Sequence, residues 1–572
     1  MRLARIKIEN FRGVKECEVF FPGHTVLVGD NNTGKSTILE AIDLVLGPER
    51  LSRYPVIDEH DFYAGQYLDK DSNPIDIKVE VVVVDLNEKQ QRHFRYHLEW
   101  WDTINNVLID EPPPESTDVE GVVPALRLGF RGNYDIEEDD FSGKTFFLSP
   151  QKEDSAFDSF GTRDKRFCGF LYLRMLRTGT RALSLERGSL LDTILRLKEL
   201  RLQMWEDVLS QLRKLPVADN PELDIEDVLV SVQDAVRSFV PSDWADNPHM
   251  RISDLTREHL RRILTVFMST GAIRDDGSEY AAPYQHQGAG TINTLVLALL
   301  SMIAELKQNV IFAMEEPEIA IPPHTQKRII DSVSSKSAQA IFTSHSPYVL
   351  EEFDPSQILV INRKNGCLKG IPAEYPPKVK PKKYREEFRR RFCESLLARR
   401  VLIAEGRTEY DAFPTAARRL HELDPEKYKT LEGLGIAIIN AETDTQVEPL
   451  GKHFRELGKV VFAVFDQQSE ESSENIAKSV DYPFEAPEKG FENVILNGSS
   501  ETALRRYANS LVQDGEWPSH LSIKTPTDTM SLEDLRDAVS ANLKSPKADG
   551  IAKPEIAVYN GHIIKERKTP LF

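Results

Sequence analysis

Two groups of residues in this chain have the types and the spacing to do chemistry. The first is Gly29-Asp30-Asn31-Asn32-Thr33-Gly34-Lys35-Ser36-Thr37. Glycines let backbone N–H groups close on phosphate oxygens, and a helix that opens at this point adds its positive dipole end. Lys35 then reaches the β- and γ-phosphates, and Ser36 offers a hydroxyl to Mg²⁺. Without phosphate chemistry the same segment is a glycine-rich turn that contains a lysine. The second group is acidic. Glu405-Gly406-Arg407-Thr408-Glu409 follows the apolar run Val401-Leu402-Ile403-Ala404, and Asp466-Gln467-Gln468 follows Lys459-Val460-Val461-Phe462-Ala463-Val464-Phe465. Carboxylates that converge from parallel strand ends make a Mg²⁺ or Mn²⁺ site, and such an ion can generate hydroxide and stabilise a displaced phosphate oxygen. The plainer alternative is a set of acids that cap strand ends in water.

Three shorter motifs lie between these groups. Val310-Ile311-Phe312-Ala313-Met314 reads as a buried strand ending in Glu315-Glu316-Pro317-Glu318. Acids at the C-terminal end of a strand sit where ligands bind in α/β sheets. Glu315 would support Mg²⁺ there, and Glu316 would polarise the attacking water. Ala340–Ser344 reads as another strand, and His345 at its end can touch a γ-phosphate. Gln287-Gly288-Ala289-Gly290-Thr291 precedes an apolar helix. A glycine-rich helix start binds anions without a lysine of its own, so Gly288 and Gly290 could face a phosphate held by a second copy of the chain. A plain turn before a core helix and a structural histidine are the alternatives.

The elements that must position these residues alternate between strand and helix, an α/β pattern. The N-terminal ARIKIENF alternates apolar and polar residues, and TVLVG is a short apolar strand. Ile38, Leu39, Ile42, Val45 and Leu46 recur at helical spacing until Gly47-Pro48. From Phe170 to Val240 the pattern reads as helix, a helical insertion that splits the first domain. The expected boundaries are 1–165 and 256–365 for the split head, 166–255 for the insertion, 366–398 for a basic linker and 399–572 for a second α/β domain. The insertion is a plausible dimerisation element, because long apolar helical faces need burial; packing within the chain serves equally well.

Composition narrows the class. The 572 residues are 40% hydrophobic and 28% charged, an ordinary globular mixture. The apolar run Leu295–Ala304 is about half the length needed to span a bilayer, so no membrane association is expected. Cys17, Cys168, Cys367 and Cys393 lie far apart, which suits free thiols in a reducing cytoplasm. Lys plus Arg number 72 and Asp plus Glu 91, a net charge of −19. A nucleic acid must therefore be met through a local basic surface. Residues 378–391, KVKPKKYREEFRRR, offer one with eight Lys or Arg against two Glu; a solvated linker is the alternative.

The order GDNNTGKST, QGAGT, FAMEEPE, TSHSP resembles the ABC-type ATPase heads of the RecF, SMC and OLD (overcoming lysogenization defect) group. AEGRTE and FDQQ resemble the motifs of a Toprim domain, the metal-binding fold of topoisomerases, primases and OLD nucleases. Head followed by Toprim is most similar to OLD proteins, which include the nuclease subunit of Gabija and retron-associated effectors. The resemblance implies ATP sandwiched between two heads, hence a homodimer or larger homo-oligomer. It also implies metal held by Glu405, Glu409 and Asp466, DNA as the substrate, and a helicase or reverse-transcriptase partner. It implies further a late lysine on the scissile phosphate, best matched by Lys547, with Lys544 or Lys553 as alternatives. Gln468 departs from the family's second Asp, and an amide oxygen is a weaker, neutral ligand. Glu442, Asp444, Glu470 and Glu492 are acids that could compensate. If they do not, the chain is an ATP-driven DNA-binding or sensing scaffold rather than a nuclease.

Overall fold

The computed structural model describes residues 1–48, 50–51, 55–109, 121–150, 157–173, 183–186, 189–214, 225–238, 256–306, 310–319, 321–377, 388–515, 517, 525–527 and 529–543. It divides into two compact units. One comprises Met1–Ala4, Ile42–Asp58 and Val79–Phe342; the other comprises Arg5–Ala41, Glu59–Lys78 and Thr343–Phe572.

The second unit carries both chemical groups. Its first sheet sets the strands Arg2–Phe11, Val14–Phe20, Cys367–Pro372, Ile358–Lys364 and Thr25–Val28 side by side in that order. Thr25–Val28 is wholly buried and pairs in parallel with Ile358–Lys364. A buried parallel strand reads as an unbroken apolar run, which is what TVLV is. The helix Lys35–Leu46 follows. Ile38, Leu39, Ala41, Ile42, Val45 and Leu46 are all buried, the stripe expected of a core-facing helix.

The second sheet of this unit has four parallel strands in the order Ile436–Asn440, Arg400–Ala404, Val460–Phe465, Tyr482–Glu485. Chain order reverses between Arg400–Ala404 and Val460–Phe465. At such a topological switch point the C-terminal strand ends splay apart and open a crevice. Val401, Ile403, Ala404, Ile439, Val461, Ala463 and Phe465 form the buried core of this sheet. The helix Asp444–Glu456 covers it with Val447, Leu450 and Phe454.

In the first unit, Ile311–Glu315 is completely buried and pairs in parallel with Phe170–Leu173. That second strand corrects the expectation of helix from Phe170 onward. Four apolar residues have no measurable period, so the neighbouring strand decides their conformation. Further along the expected insertion the chain is helical at Leu190–Leu197, Arg201–Lys214 and Ile225–Arg237. The strand Cys367–Pro372 and the helix Arg389–Leu397 fall within the stretch read as linker. Residues 378–387 of the basic run lie outside the described residues. Among the described residues, no helix is long and apolar enough to cross a membrane.

Gly29 shows how tightly the first sheet constrains the loop that leaves it. Its φ is 150°, and a Cβ there would lie 2.6 Å from the Ile361 carbonyl oxygen. Gly29→Ala is therefore expected to cost about 1–3 kcal/mol in urea unfolding. Gly288→Ala, where a Cβ meets nothing within 4 Å, should stay within about 0.5 kcal/mol of the parent. Equal midpoints for the two variants would refute this reading of the loop.

Candidate active site

The phosphate-loop candidate begins where Thr25–Val28 ends. Gly29 (φ 150°), Asn32 (φ 65°) and Gly34 (φ 107°) take left-handed or glycine-type backbone. Turns of this kind point successive N–H groups toward one side, as anion-binding nests do. Gly34 is fixed from behind as well, because a Cβ there would lie 2.6 Å from Leu368 Cδ1. The hairpin Ile358–Lys364 and Cys367–Pro372 thus walls the loop on one side. Lys35 is buried, and its Nζ donates to the carbonyls of Gly29 (2.8 Å) and Asp30 (2.9 Å). Thr33 Oγ1 donates to the Asp30 carbonyl at 2.9 Å. Asn31 and Ser36 are exposed, and Thr37 is half-buried in the first turn of the helix. Ser344 N–H donates to the Leu27 carbonyl at 3.3 Å, which seats the exposed His345 beside the strand feeding the loop.

Gly288, Gly290, Glu315 and Glu316 belong to the other unit. Gly288 immediately precedes the helix Ala289–Leu306, and Gly290 lies in its first turn. A Cβ on either glycine would meet nothing within 4 Å, so packing within the described chain does not demand glycine there. Glu315 is buried and accepts a 2.7 Å hydrogen bond from the Tyr172 hydroxyl. The sequence reading missed Tyr172 because its strand was taken for helix; its adjacency to Glu315 depends on the pairing of two distant segments. Glu316 has φ 43°. A non-glycine residue in that region is strained, and such strain concentrates at functional sites.

The acidic group forms at the switch point of the four-stranded sheet. Glu405 follows Arg400–Ala404 directly, and its Oε2 accepts the backbone N–H of Asp466 at 2.8 Å. Asp466 follows Val460–Phe465, and its Oδ2 accepts the backbone N–H of Gly490 at 2.9 Å. Glu409 stands in the first turn of the helix Arg407–Leu423 and is only 7% exposed. A Cβ on Gly406 would lie 2.6 Å from Glu409 Oε2, so the glycine in Glu-Gly-Arg-Thr-Glu makes room for the second carboxylate. All three acids titrate high. Burial pushes Glu409 up to about 7, with Asp466, Glu405 and Glu492 adding repulsion. Burial also raises Glu405, helped by Asp466 and Asp444 and opposed by the hydrogen bonds from Asp466 N–H and Gln468. Asp466 is raised by burial and by Glu492, against the Gly490 hydrogen bond and Lys489.

Of the compensating acids, Glu492 and Asp444 are therefore within electrostatic reach. Glu470 instead opens the helix Glu470–Ser479, which Ser469 caps. Gln468 turns its amide toward Glu405, with Nε2 donating to Oε2 at 3.4 Å. Among the described residues, no three acidic, His or Cys side chains stand close enough together to hold an ion. The donor set nevertheless fits a hard divalent cation in its chemistry: oxygen-only and electrostatically self-repelling, with Glu409 buried and Glu405 and Asp466 half-buried. Lys544, Lys547 and Lys553 lie outside the described residues.

A phosphate-binding head followed by an acidic, Toprim-like sheet defines an ATPase–Toprim architecture. Comparison with known proteins agrees. The AAA ATPase domain family matches residues 1–168 and 200–350, and the Overcoming lysogenization defect protein-like TOPRIM domain matches residues 396–467. The chain belongs to the AAA ATPase domain family and carries an OLD-like Toprim domain after it. It is 22% identical over 458 residues to the Old nuclease of Escherichia phage P2, covering 75% of this chain and 72% of that protein. Among solved structures, the SMC head domain from Thermotoga maritima is 12% identical with a TM-score of 0.30, covering 66% of this chain and 100% of that one. A Smc head domain with an extended coiled coil, bound to the C-terminal domain of ScpA derived from Pyrococcus furiosus, is 13% identical with a TM-score of 0.34, covering 64% and 95%.

The raised carboxylates make a pH prediction. Glu409 titrates near 7 in the fold against 4.5 ordinarily, so the folded state holds a proton that the unfolded chain has released between those values. Its unfavourable contribution is absent below about pH 4.5, grows up to about pH 7 and is constant above, on the order of 3 kcal/mol in all. In EDTA, Glu409→Gln should be stabilised relative to the parent at pH 8 and much less at pH 5. The same difference at both pH values would contradict the assignment.

Proposed function

We propose that this chain is an ATP-regulated, divalent-metal-dependent DNA endonuclease that acts in defence against phage. The observation that carries this reading is that Glu405, Glu409 and Asp466 share one end of the four-stranded sheet, each with its pKa raised by burial and by neighbouring acids. Surface acids that merely cap strands titrate near their ordinary values; these are arranged at a standing electrostatic cost that a cation would remove.

In this reading Glu405, Glu409 and Asp466 hold Mg²⁺ or Mn²⁺. The cation supplies the means to activate water at neutral pH and to neutralise charge on the displaced phosphate oxygen. The hydrogen bonds from Asp466 N–H and Gly490 N–H orient two of the carboxylates beforehand, which lowers the reorganisation left for the reaction. Lys547 is assigned to the scissile phosphate.

In the head, Lys35 and the backbone from Gly29 to Gly34 take the phosphates of ATP, and Asn31, Asn32, Thr33 and Thr37 line the same loop. Ser36 and Glu315 support its Mg²⁺, Glu316 orients the attacking water, and His345 contacts the γ-phosphate. Gly288 and Gly290 receive the γ-phosphate of a second copy, so the working form is a homodimer or larger homo-oligomer. A helicase or retron reverse transcriptase is the partner class that accompanies such proteins. The four free cysteines suit the cytoplasm.

One observation favours a second reading, a DNA-binding scaffold with a degenerate Toprim domain. Gln468 presents a donor to Glu405, so it partly satisfies a carboxylate that a cation would otherwise claim.

Supercoiled plasmid separates the two. With Mg²⁺ or Mn²⁺, nicking that falls by about 100-fold or more in Glu405→Ala supports the nuclease. DNA retention without cutting across both metals, with and without ATP, supports the scaffold. Lys35→Ala should remove ATP hydrolysis by a similar factor; hydrolysis at the parent rate would refute the head assignment.

A further inference from the structure

The second unit holds a continuous set of contacts from the phosphate loop to the roots of both acid-bearing strands. Gly29 lies against the Ile361 carbonyl. The next residue, Asn362, donates through Nδ2 to the Leu457 carbonyl at 2.9 Å. Gly458 has φ 77°, and a Cβ there would lie 2.8 Å from Asn362 Nδ2, so backbone and amide meet with no side chain between them. Lys459 follows. It is 8% exposed, and its Nζ donates to the Leu396 carbonyl at 2.6 Å. Leu396 lies in the last turn of the helix Arg389–Leu397, where a cation also complements the negative dipole end. That helix leads through Arg399, whose carbonyl accepts Val460 N–H at 3.2 Å, into the strand that ends at Glu405. Lys459 itself leads into the strand that ends at Asp466.

We propose that Asn362 and Lys459 link the two sites, so that phosphate bound in the Gly29–Ser36 loop is read at the N-terminal roots of the strands carrying Glu405 and Asp466. This rests on the loop being the ATP site and names how that site regulates the acidic one.

Electrostatics gives the link a sign. Burial depresses Lys459 to about 8, with Asp30 of the loop raising it and Lys35 lowering it. The Lys35 ammonium donates to loop carbonyls, and phosphate oxygens are stronger, charged acceptors. Nucleotide therefore offsets the positive charge of Lys35 and favours the charged form of Lys459. A charged Lys459 holds Leu396 more strongly and tightens both strand roots. Packed parallel strands respond as a unit, so a change at one end is felt at the carboxylate end. By linkage, an ion held at the acids must alter nucleotide affinity by the same factor. Lys459 is a positioning residue in this scheme; it touches neither substrate nor metal.

The test is amide hydrogen exchange of residues 457–465 in the full chain, read by mass spectrometry with and without a non-hydrolysable ATP analogue and Mg²⁺. Binding of the analogue is measured in parallel by fluorescence. The parent should exchange about fivefold more slowly across this segment when nucleotide is bound. Lys459→Met keeps the aliphatic stem and removes the charge. It should bind the analogue within about threefold of the parent yet lose the nucleotide-dependent slowing. A purely structural role for Lys459 would change exchange equally in both states. Asp30→Asn, at an exposed position that threatens no core, should reduce the slowing by about half or more. If both variants respond like the parent, or if the parent binds nucleotide with no change at 457–465, the link is wrong while the ATP site stands. If the parent binds no nucleotide, the reading of the loop fails and the link fails with it.

Discussion

Placing several carboxylates in one partly dry crevice is the constraint around which the C-terminal domain is organised. Burial disfavours each charge, and every neighbouring acid adds repulsion. The sheet makes the arrangement attainable. Two strands that are adjacent in space but separated in sequence deliver Glu405 and Asp466 to the same end, and the helix after the first strand returns Glu409 to it. Backbone N–H groups of Asp466 and Gly490 then replace part of the lost hydration. They do not replace all of it, since all three acids still titrate high. What remains is a deficit that a proton or a cation satisfies, and near neutral pH a divalent cation is the stronger candidate of the two.

The phosphate loop solves the opposite problem with the same architecture. It also leaves the C-terminal end of a buried parallel strand, but it presents N–H groups, a helix start and an ammonium. Its shape comes from what stands behind it. Ile361 and Leu368 of one hairpin come so close that only glycine fits at positions 29 and 34. The hairpin that sets the loop continues into Asn362, which grips the turn before the Asp466 strand. Both chemistries of the second unit thus share one piece of backbone support.

Much of this was legible in the sequence. The loop motif, the apolar strands before Glu315, Glu405 and Asp466, and the helix Lys35–Leu46 each carry a local signature, a glycine pattern or an apolar period. Phe170–Leu173 carried none. Four apolar residues beside a helical stretch look helical until a distant strand pairs with them, and Tyr172 was lost with them. Cys367–Pro372 falls within the stretch 366–398 expected as a basic linker; its pairing with Ile358–Lys364 and Val14–Phe20, not its composition, makes it a strand. Asn362, Gly458 and Lys459 had no signal as a group, since their meaning lies in contacts between segments about a hundred residues apart. Gln468 was noticed as a departure from pattern, but that it turns a donor toward Glu405 required the fold.

The basic run leads directly into the acidic domain. At its described end Arg390 and Arg391 already have partners within the chain, although Arg390 stays exposed. Arg390 donates to the Tyr348 hydroxyl at 2.8 Å and pairs with Glu394, and the guanidinium of Arg391 lies 4.3 Å from the ring centroid of Tyr410. Tyr410 is next to Glu409 on the same helix, so this arginine helps to seat the helix that supplies a carboxylate. In a chain of net charge −19, an acidic crevice repels a phosphodiester unless its own charge is first offset.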